Sequence, residues 1–349
     1  MPRVPNTHPT TRSSLRSQLR RRAFTLLAVV GLVLTTAYLA ADPTHKTEAA
    51  PVTPASKPLT LITEPNAGAT PFIQQIQSAR STIDLTIYEL TNRAIEVSLA
   101  AAARRGVQVR VLLDSTYRGR YVNQNAYRYL TSNGVRLRWA PAYNAITHQK
   151  TMTVDGHLAD IMTLNFDRYL GHGTRDFAVI DRQPADINEI VHVFNADWNR
   201  HRIGGGLDGD LLWSPGAAEP VLKLIAGANH SIELETEELT YQPAITALCA
   251  AAKRGVQVEI TMTYSPSWLA AFDRLKGCGA KLHVYYGQHY YIHAKALIID
   301  HRQALIGSQN LTTESLDHNR ELGLLTTNPT VVDPLIAALK DDYNQGREL

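Results

Sequence analysis

Cysteine is nearly missing from this chain of 349 residues: two are present, Cys249 and Cys278. Two thiols so far apart make no zinc site, and the dispersed histidines offer no recognisable ligand cluster, so neither a metal nor another cofactor is expected. Basic charge is also lacking where it would matter. The formal net charge is +3, but residues 1–41 hold six Arg (Arg3, Arg12, Arg16, Arg20, Arg21, Arg22) and no acid. From Asp42 onward 29 bases face 32 acids, a net of −3. A mildly acidic body has no broad field to gather a polyanion, which argues against a nonspecific nuclease.

The Arg-rich start runs into an apolar stretch from Ala23 to Ala41, then Asp42-Pro43 and a linker rich in Pro, Thr, Ala and Lys to about Lys57. This reads as an export signal or a membrane anchor over 1–57. Arg21-Arg22-Ala23-Phe24-Thr25-Leu26 resembles a twin-arginine address. Leu39 is not the small residue that cleavage after Ala41 would favour, so release and retention both stay open. Outside the cytosol Cys249 and Cys278 could pair, although inert buried thiols are the default reading.

What is abundant is repetition. His148, Lys150, Asp155 and Asn165 stand at the same spacing as His293, Lys295, Asp300 and Asn310. Eleven residues after each Asn comes an acid, Asp176 or Glu321, each directly after an Arg (Arg175, Arg320). Five polar types in register across two copies are hard to produce by accident. The repeat extends beyond them: "SARSTIDLTIYELT" (78–91) reads against "GANHSIELETEELT" (227–240), and "AAARRGVQVRVLL" (101–113) against "AAAKRGVQVEITM" (250–262). The offset is 149 residues there and 145 from Gly134 and Gly279 onward. A period of that length is a domain, not a solenoid unit. Two domains are expected, 58–203 and 207–349, joined at Gly204-Gly205-Gly206.

Each copy alternates helix and strand, which argues for a layered α/β domain. Helical patterns at 71–80 and 220–229 precede β-branched strands at 82–88 and 231–237. Ala-rich helices then end at Gly106 and Gly255 and lead into the next strands. "THQKTMTVD" and "IHAKALIID" read as strands too. On a strand, residues two apart share a face, so His148 with Lys150, and His293 with Lys295, aim at one spot. Asn165 and Asn310 follow from a neighbouring strand or its end.

An imidazole, an ammonium and an amide suit a phosphate, and two such half-sites face to face supply a nucleophile and an acid on opposite sides of phosphorus. Two Lys and two Asn would hold the equatorial oxygens. Asp176 and Glu321 are candidates to fix the imidazole tautomers. Asp155 and Asp300 end their strands and are expected to make structural hydrogen bonds. Glu89 and Glu238 sit at matching strand ends and either border the cleft or are solvated. Tyr285, Tyr286, Tyr290 and Tyr291 either wall the pocket, where they could meet a quaternary ammonium, or are ordinary strand residues. His157, His172, His301 and His318 have no repeat partner and read as surface or loop residues.

The pattern H-x-K-x4-D-x6-G-S-x-N resembles that of the phospholipase D superfamily, in full for His293, Lys295, Asp300, Gly307, Ser308 and Asn310. The resemblance covers about 290 residues. It implies two similar layered α/β domains, each a mixed sheet flanked by helices, related by a pseudo-twofold with one active site between them. It implies His148 as nucleophile and His293 as general acid, with the reverse open, no metal, and Thr163 and Ser308 as hydroxyls near the substrate. The first copy departs from it: Met162-Thr163 stand where Gly307-Ser308 stand in the second. Met162 could narrow the pocket on that side.

The expected activity is that of a phosphodiesterase, a hydrolase acting on a phospholipid head group at a membrane surface, with transfer of the head group beside it. The family also holds endonucleases and cardiolipin synthases, and a membrane-tethered headgroup-binding module is the non-enzyme reading. Nucleic acid is the less favoured partner. Both motifs on one chain remove the need for a dimer, so a monomer is expected.

Overall fold

The computed structural model describes residues 59–287 and 291–349. The expected export or anchor segment lies outside these residues, as does Tyr290. Among the described residues no helix is long and apolar enough to cross a membrane.

Two mixed sheets form the body. In the first, the order is Thr60–Glu64, Thr174–Asp181, Leu158–Met162, Thr151–Val154, Thr82–Ile87, Gln108–Leu113 and Arg136–Trp139. In the second, Lys281–Tyr285, Gln257–Thr263, Ser231–Thr236, Lys295–Ile299, Gln303–Gly307, Glu321–Thr326 and Leu211–Ser214 repeat this arrangement in mirrored listing, with short strands Arg347–Glu348 and Gly206–Asp208 at the edges. In each half the three strands joined through helices are parallel, and the hairpin that follows the His-x-Lys motif is antiparallel to them. Parallel pairs need long crossovers, which the helices supply, and tight turns serve the hairpins.

Each half buries its own apolar core, around Phe72, Leu85 and Phe166 in the first and Ile225, Leu248 and Phe272 in the second. A third core is shared. Ile161, Phe177 and Val179 of the first half pack in one cluster with Ala296, Ile306 and Leu324 of the second. The halves therefore meet sheet to sheet across buried apolar surface, which excludes water from the base of the site above it.

Two hairpin turns carry Asp155 and Asp300 in the left-handed region, at φ 53° and 54°. Asp tolerates this conformation better than most side chains. Each carboxylate accepts from the backbone N–H groups entering the neighbouring strand: Arg80, Ser81 and Thr82 for Asp155, and Asn229, His230 and Ser231 for Asp300. Although burial alone would raise it, these N–H donors bring the Asp155 pKa down to about 2. Both motif aspartates thus hold the turn to the sheet, far from any reacting atom.

Cys249 and Cys278 are joined in a disulfide, with Cα atoms 5.3 Å apart. The helix Gln242–Lys253 lies against the helix Leu269–Gly277, which brings together two positions whose separation the sequence leaves open.

Candidate active site

The motif histidines stand just ahead of their strands, a departure from the strand expected there: the strands begin at Thr151 and Lys295. The reason is a bond to the opposite half. Tyr291–Ile292 pairs with Thr174–Arg175, and the His293 N–H donates to the Arg175 carbonyl at 3.1 Å. Reciprocally, Thr147 bridges to Arg320, whose carbonyl accepts from the His148 N–H at 2.9 Å. Each histidine is carried on a segment stitched to the strand that bears the other half's acid.

The consequence is a crossed pair of dyads. His148 Nδ1 lies 2.9 Å from Glu321 Oε2, and His293 Nδ1 lies 2.7 Å from Asp176 Oδ1. A carboxylate only accepts, so each Nδ1 carries the proton and each Nε2 is turned away from its acid. Burial disfavours charge on Glu321, but His148 and Lys150 hold its pKa below the ordinary value. Both imidazoles line one pocket of about 700 Å³, together with Asn165, Asn310, Asp176 and Glu321.

Lys150 and Lys295 lie beneath, 1% and 4% exposed. The Lys150 ammonium donates to the His148 carbonyl at 2.7 Å, and Lys295 makes the same bond to the His293 carbonyl. Burial pushes the Lys150 pKa down to about 7. It also lowers that of His148, against the opposing pull of Glu321.

Thr163 and Ser308 do not meet the pocket, which corrects their expected place beside the substrate. Both are fully buried. Thr163 Oγ1 donates to Asp176 Oδ1 at 2.6 Å and accepts from the Phe177 N–H at 2.9 Å. Ser308 Oγ accepts from the Leu322 N–H at 3.1 Å, next to Glu321. They are the backs of the carboxylates. Glu321 is held from other sides by Ser315 and Asn319, at 2.8 and 3.2 Å.

Met162 does not narrow the pocket. Strand alternation turns it into the first-half core, fully buried beside Ala178. At the matching position a Cβ on Gly307 would lie 2.3 Å from the Cα of Gly323, so the second half requires glycine there. Gln309 fills the space instead and donates to the Leu212 carbonyl at 2.7 Å.

Of the tyrosines, Tyr291 lines the pocket and donates to Glu237 at 3.2 Å. Tyr285 is buried and donates to the Asp342 carbonyl, and Tyr286 packs on Tyr264 with ring centroids 4.8 Å apart. Glu89 and Glu238 both border the pocket. His157, His172, His301 and His318 are exposed.

Three features escape a reading of the motifs. Arg175 is paired with Asp342 at 2.6 Å, and Arg320 with Asp197 at 2.9 Å. Asp197 and Asp342 stand 145 residues apart, so the repeat register contained the signal. These pairs also cross between halves, the reciprocity that a two-fold relation produces. Glu64, on the strand next to Asp176, lines the pocket almost wholly buried, with burial raising its pKa. Glu237 Oε2 lies 2.7 Å from Lys295 Nζ and 3.5 Å from His293 Nε2. Its repeat partner is Tyr88, so no internal comparison could have pointed to it.

The comparisons with known proteins agree with this fold. The family model described as "Cardiolipin synthase, PLD-like domain" matches residues 72–198 and 221–343. Cardiolipin synthase A of Salmonella arizonae is 24% identical over 345 residues, covering 82% of this chain and 68% of the relative. That of Pectobacterium carotovorum is 24% identical, covering 78% and 66%. The chain thus spans about two thirds of the length of these relatives. Among solved structures, polyphosphate kinase of Porphyromonas gingivalis superposes with a TM-score of 0.65 at 17% identity, over 81% of this chain and 46% of that one. Phosphatidylserine synthase of Haemophilus influenzae superposes with 0.64 at 13% identity, over 83% and 87%. These two likenesses concern the fold.

Proposed function

The chain belongs to the phospholipase D superfamily, and on that footing we propose that it exchanges phospholipid head groups through a phosphohistidine. The phosphatidyl group passes from one alcohol to another, with water as the competing acceptor. The crossed His–carboxylate dyads facing one pocket carry this reading. The curated relatives named cardiolipin synthase support transfer, the alternative reading of the sequence, ahead of the hydrolysis it put first.

The surroundings support a division of labour. His148 meets the edge of Tyr88, with ring centroids 4.9 Å apart, and burial favours its neutral form. A neutral Nε2 is a nucleophile at physiological pH. His293 has carboxylates at both nitrogens, Asp176 at 2.7 Å and Glu237 at 3.5 Å, which orient it toward the departing oxygen. His148 Nε2 attacks phosphorus, the P–O bond to the departing alcohol breaks, and His293 gives its proton to that oxygen. His293 then takes a proton from the incoming alcohol, whose oxygen attacks phosphorus and frees His148. Lys150, Lys295, Asn165 and Asn310 offset charge on the equatorial oxygens, where electrostatics dominate.

The acidic pocket wall supports a lipid over a nucleic-acid polyanion. The N-terminal segment, as signal or anchor, would bring the site to a lipid surface.

The test is an acid-quench of the protein with a phospholipid donor and an alcohol acceptor, EDTA present, followed by detection of phosphohistidine and of the exchanged lipid. Label on wild type that is lost in His148→Ala is expected. DNA nicking without any lipid turnover would overturn the proposal.

A further inference from the structure

Glu237 occupies the seat that a phosphate oxygen would take in the second half-site. Its Oε2 lies 2.7 Å from Lys295 Nζ, 3.5 Å from Asn310 Nδ2 and 3.5 Å from His293 Nε2. Its other oxygen accepts from the Tyr291 hydroxyl at 3.2 Å. Burial would raise its pKa, but the charges of Lys295 and His293 hold it far below the carboxylate range, so it is an anion. An incoming phosphate oxygen draws on the same three donors. Glu237 is then left with less cationic charge, in a confined place where an unpaired charge is strongly disfavoured.

The wall around it makes this worse. Glu238 follows directly, and Glu314 stands at the rim. Apart from Lys295 beneath it, no Lys or Arg of the second half meets the pocket among the described residues, and Arg118 of the first half is engaged by Glu89 at 3.3 Å. A second observation is independent of these acids. Asn310 is 5% exposed and lines the pocket, and its side-chain oxygen has no hydrogen-bond partner. A buried carbonyl oxygen without a donor is costly, and what satisfies it is an N–H or O–H.

We propose that Glu237, Glu238 and Asn310 form a subsite for an N–H-bearing ammonium on the alcohol arm of the phosphodiester. The ammonium restores a cation to Glu237 as the phosphate engages Lys295, and donates to the Asn310 oxygen. A quaternary ammonium meets the charge but has no proton for Asn310. An uncharged polyol arm leaves the carboxylates uncompensated. Glu237 is thereby a specificity-determining residue: it disfavours bare phosphates and diesters without a cation, the repulsive component that discrimination commonly requires. This rests on the phosphodiester reading above.

The test separates the two by measuring binding apart from turnover. Calorimetric Kd values are taken on the His148→Ala protein for glycerophosphoethanolamine, glycerophosphocholine and glycerophosphoglycerol. The ethanolamine diester is expected to bind at least about tenfold tighter than the glycerol diester, with the choline diester between them. In His148→Ala/Glu237→Gln, the ethanolamine and glycerol diesters should come within about twofold, and inorganic phosphate should bind more tightly than before the Glu237 change. Equal Kd values for the ethanolamine and glycerol diesters, or a preference that survives Glu237→Gln, would overturn the subsite. Choline binding as tight as ethanolamine would overturn the part given to Asn310. Discrimination in binding without turnover of any phosphodiester by wild type would leave the subsite standing and remove the enzyme reading; turnover without discrimination would do the reverse.

Discussion

In the first half of the pocket Tyr88 sets its ring against His148 and beneath the Lys150 ammonium, 5.5 Å from its centre. At the same repeat position in the second half stands Glu237, bonded to Lys295. Behind the acids the contrast continues. Asp176, facing His293, has the buried Glu64 on the adjacent strand; the position opposite Glu321 is Ser214. One imidazole thus meets a single carboxylate and an aromatic ring, the other a carboxylate at each nitrogen. Duplication supplies two like polar frames, and the groups around them differ.

Removing either imidazole should break the comparison most sharply. His148→Ala and His293→Ala should each lower kcat/KM on phospholipid by at least about a thousandfold. A 4-nitrophenyl phosphodiester, whose leaving group needs no proton, should recover much of the rate in His293→Ala and none in His148→Ala. Equal recovery in both would erase the division of roles.

Smaller losses are expected one layer out, roughly 10–100-fold, for Asp176→Asn and Glu321→Gln. Because the dyads cross, Asp176→Asn should show the leaving-group dependence of His293→Ala although it lies in the half that holds His148. The opposite assignment would mean that each acid serves the histidine of its own half.

The same contrast has a stability arm. Gly307→Ala should destabilise by about 1–3 kcal/mol in a denaturant titration, since its Cβ meets backbone. Met162→Leu, a near volume-conserving change in the first-half core, should cost less than about 1.5 kcal/mol. Comparable costs would contradict the packing difference between the hairpins.

The gentlest probe is pH. His148 must be neutral to attack, and its lowered pKa carries the acid limb of kcat/KM below the ordinary histidine range. Lys150, with its pKa brought down to about 7, loses its charge as pH rises through neutrality. The profile should therefore peak on the acid side and fall above about pH 7 by no more than about tenfold per unit. A kcat/KM that keeps rising to pH 9 would refute the part assigned to Lys150.

Much of the frame was legible because it is written twice. His, Lys, Asp, Asn and the acid eleven residues on recur in register, and alternation along strands explains why His148 and Lys150 converge. Asp155 and Asp300 read as structural because each closes a strand, and their bonds to the backbone give that reading its content. Thr163 and Ser308 were misplaced because motif membership does not say which side of a carboxylate a hydroxyl occupies. Met162 looked intrusive where one side chain is compared with none; in three dimensions it faces the core. Glu237 was silent since its partner in the repeat is a tyrosine.

Composition, spacing and repeat period by themselves determined two α/β halves, the repeated set of polar residues and the absence of a zinc-ligand pattern. They did so because periodicity and chemical type are properties of the chain. Which acid serves which imidazole, where Arg175 and Arg320 find their partners, and that the Glu237 carboxylate sits among Lys295, His293 and Asn310 were decided only by the tertiary structure. Each depends on contacts across the interface between halves, and no local spacing encodes which strand a segment will be stitched to once two sheets pack against one another.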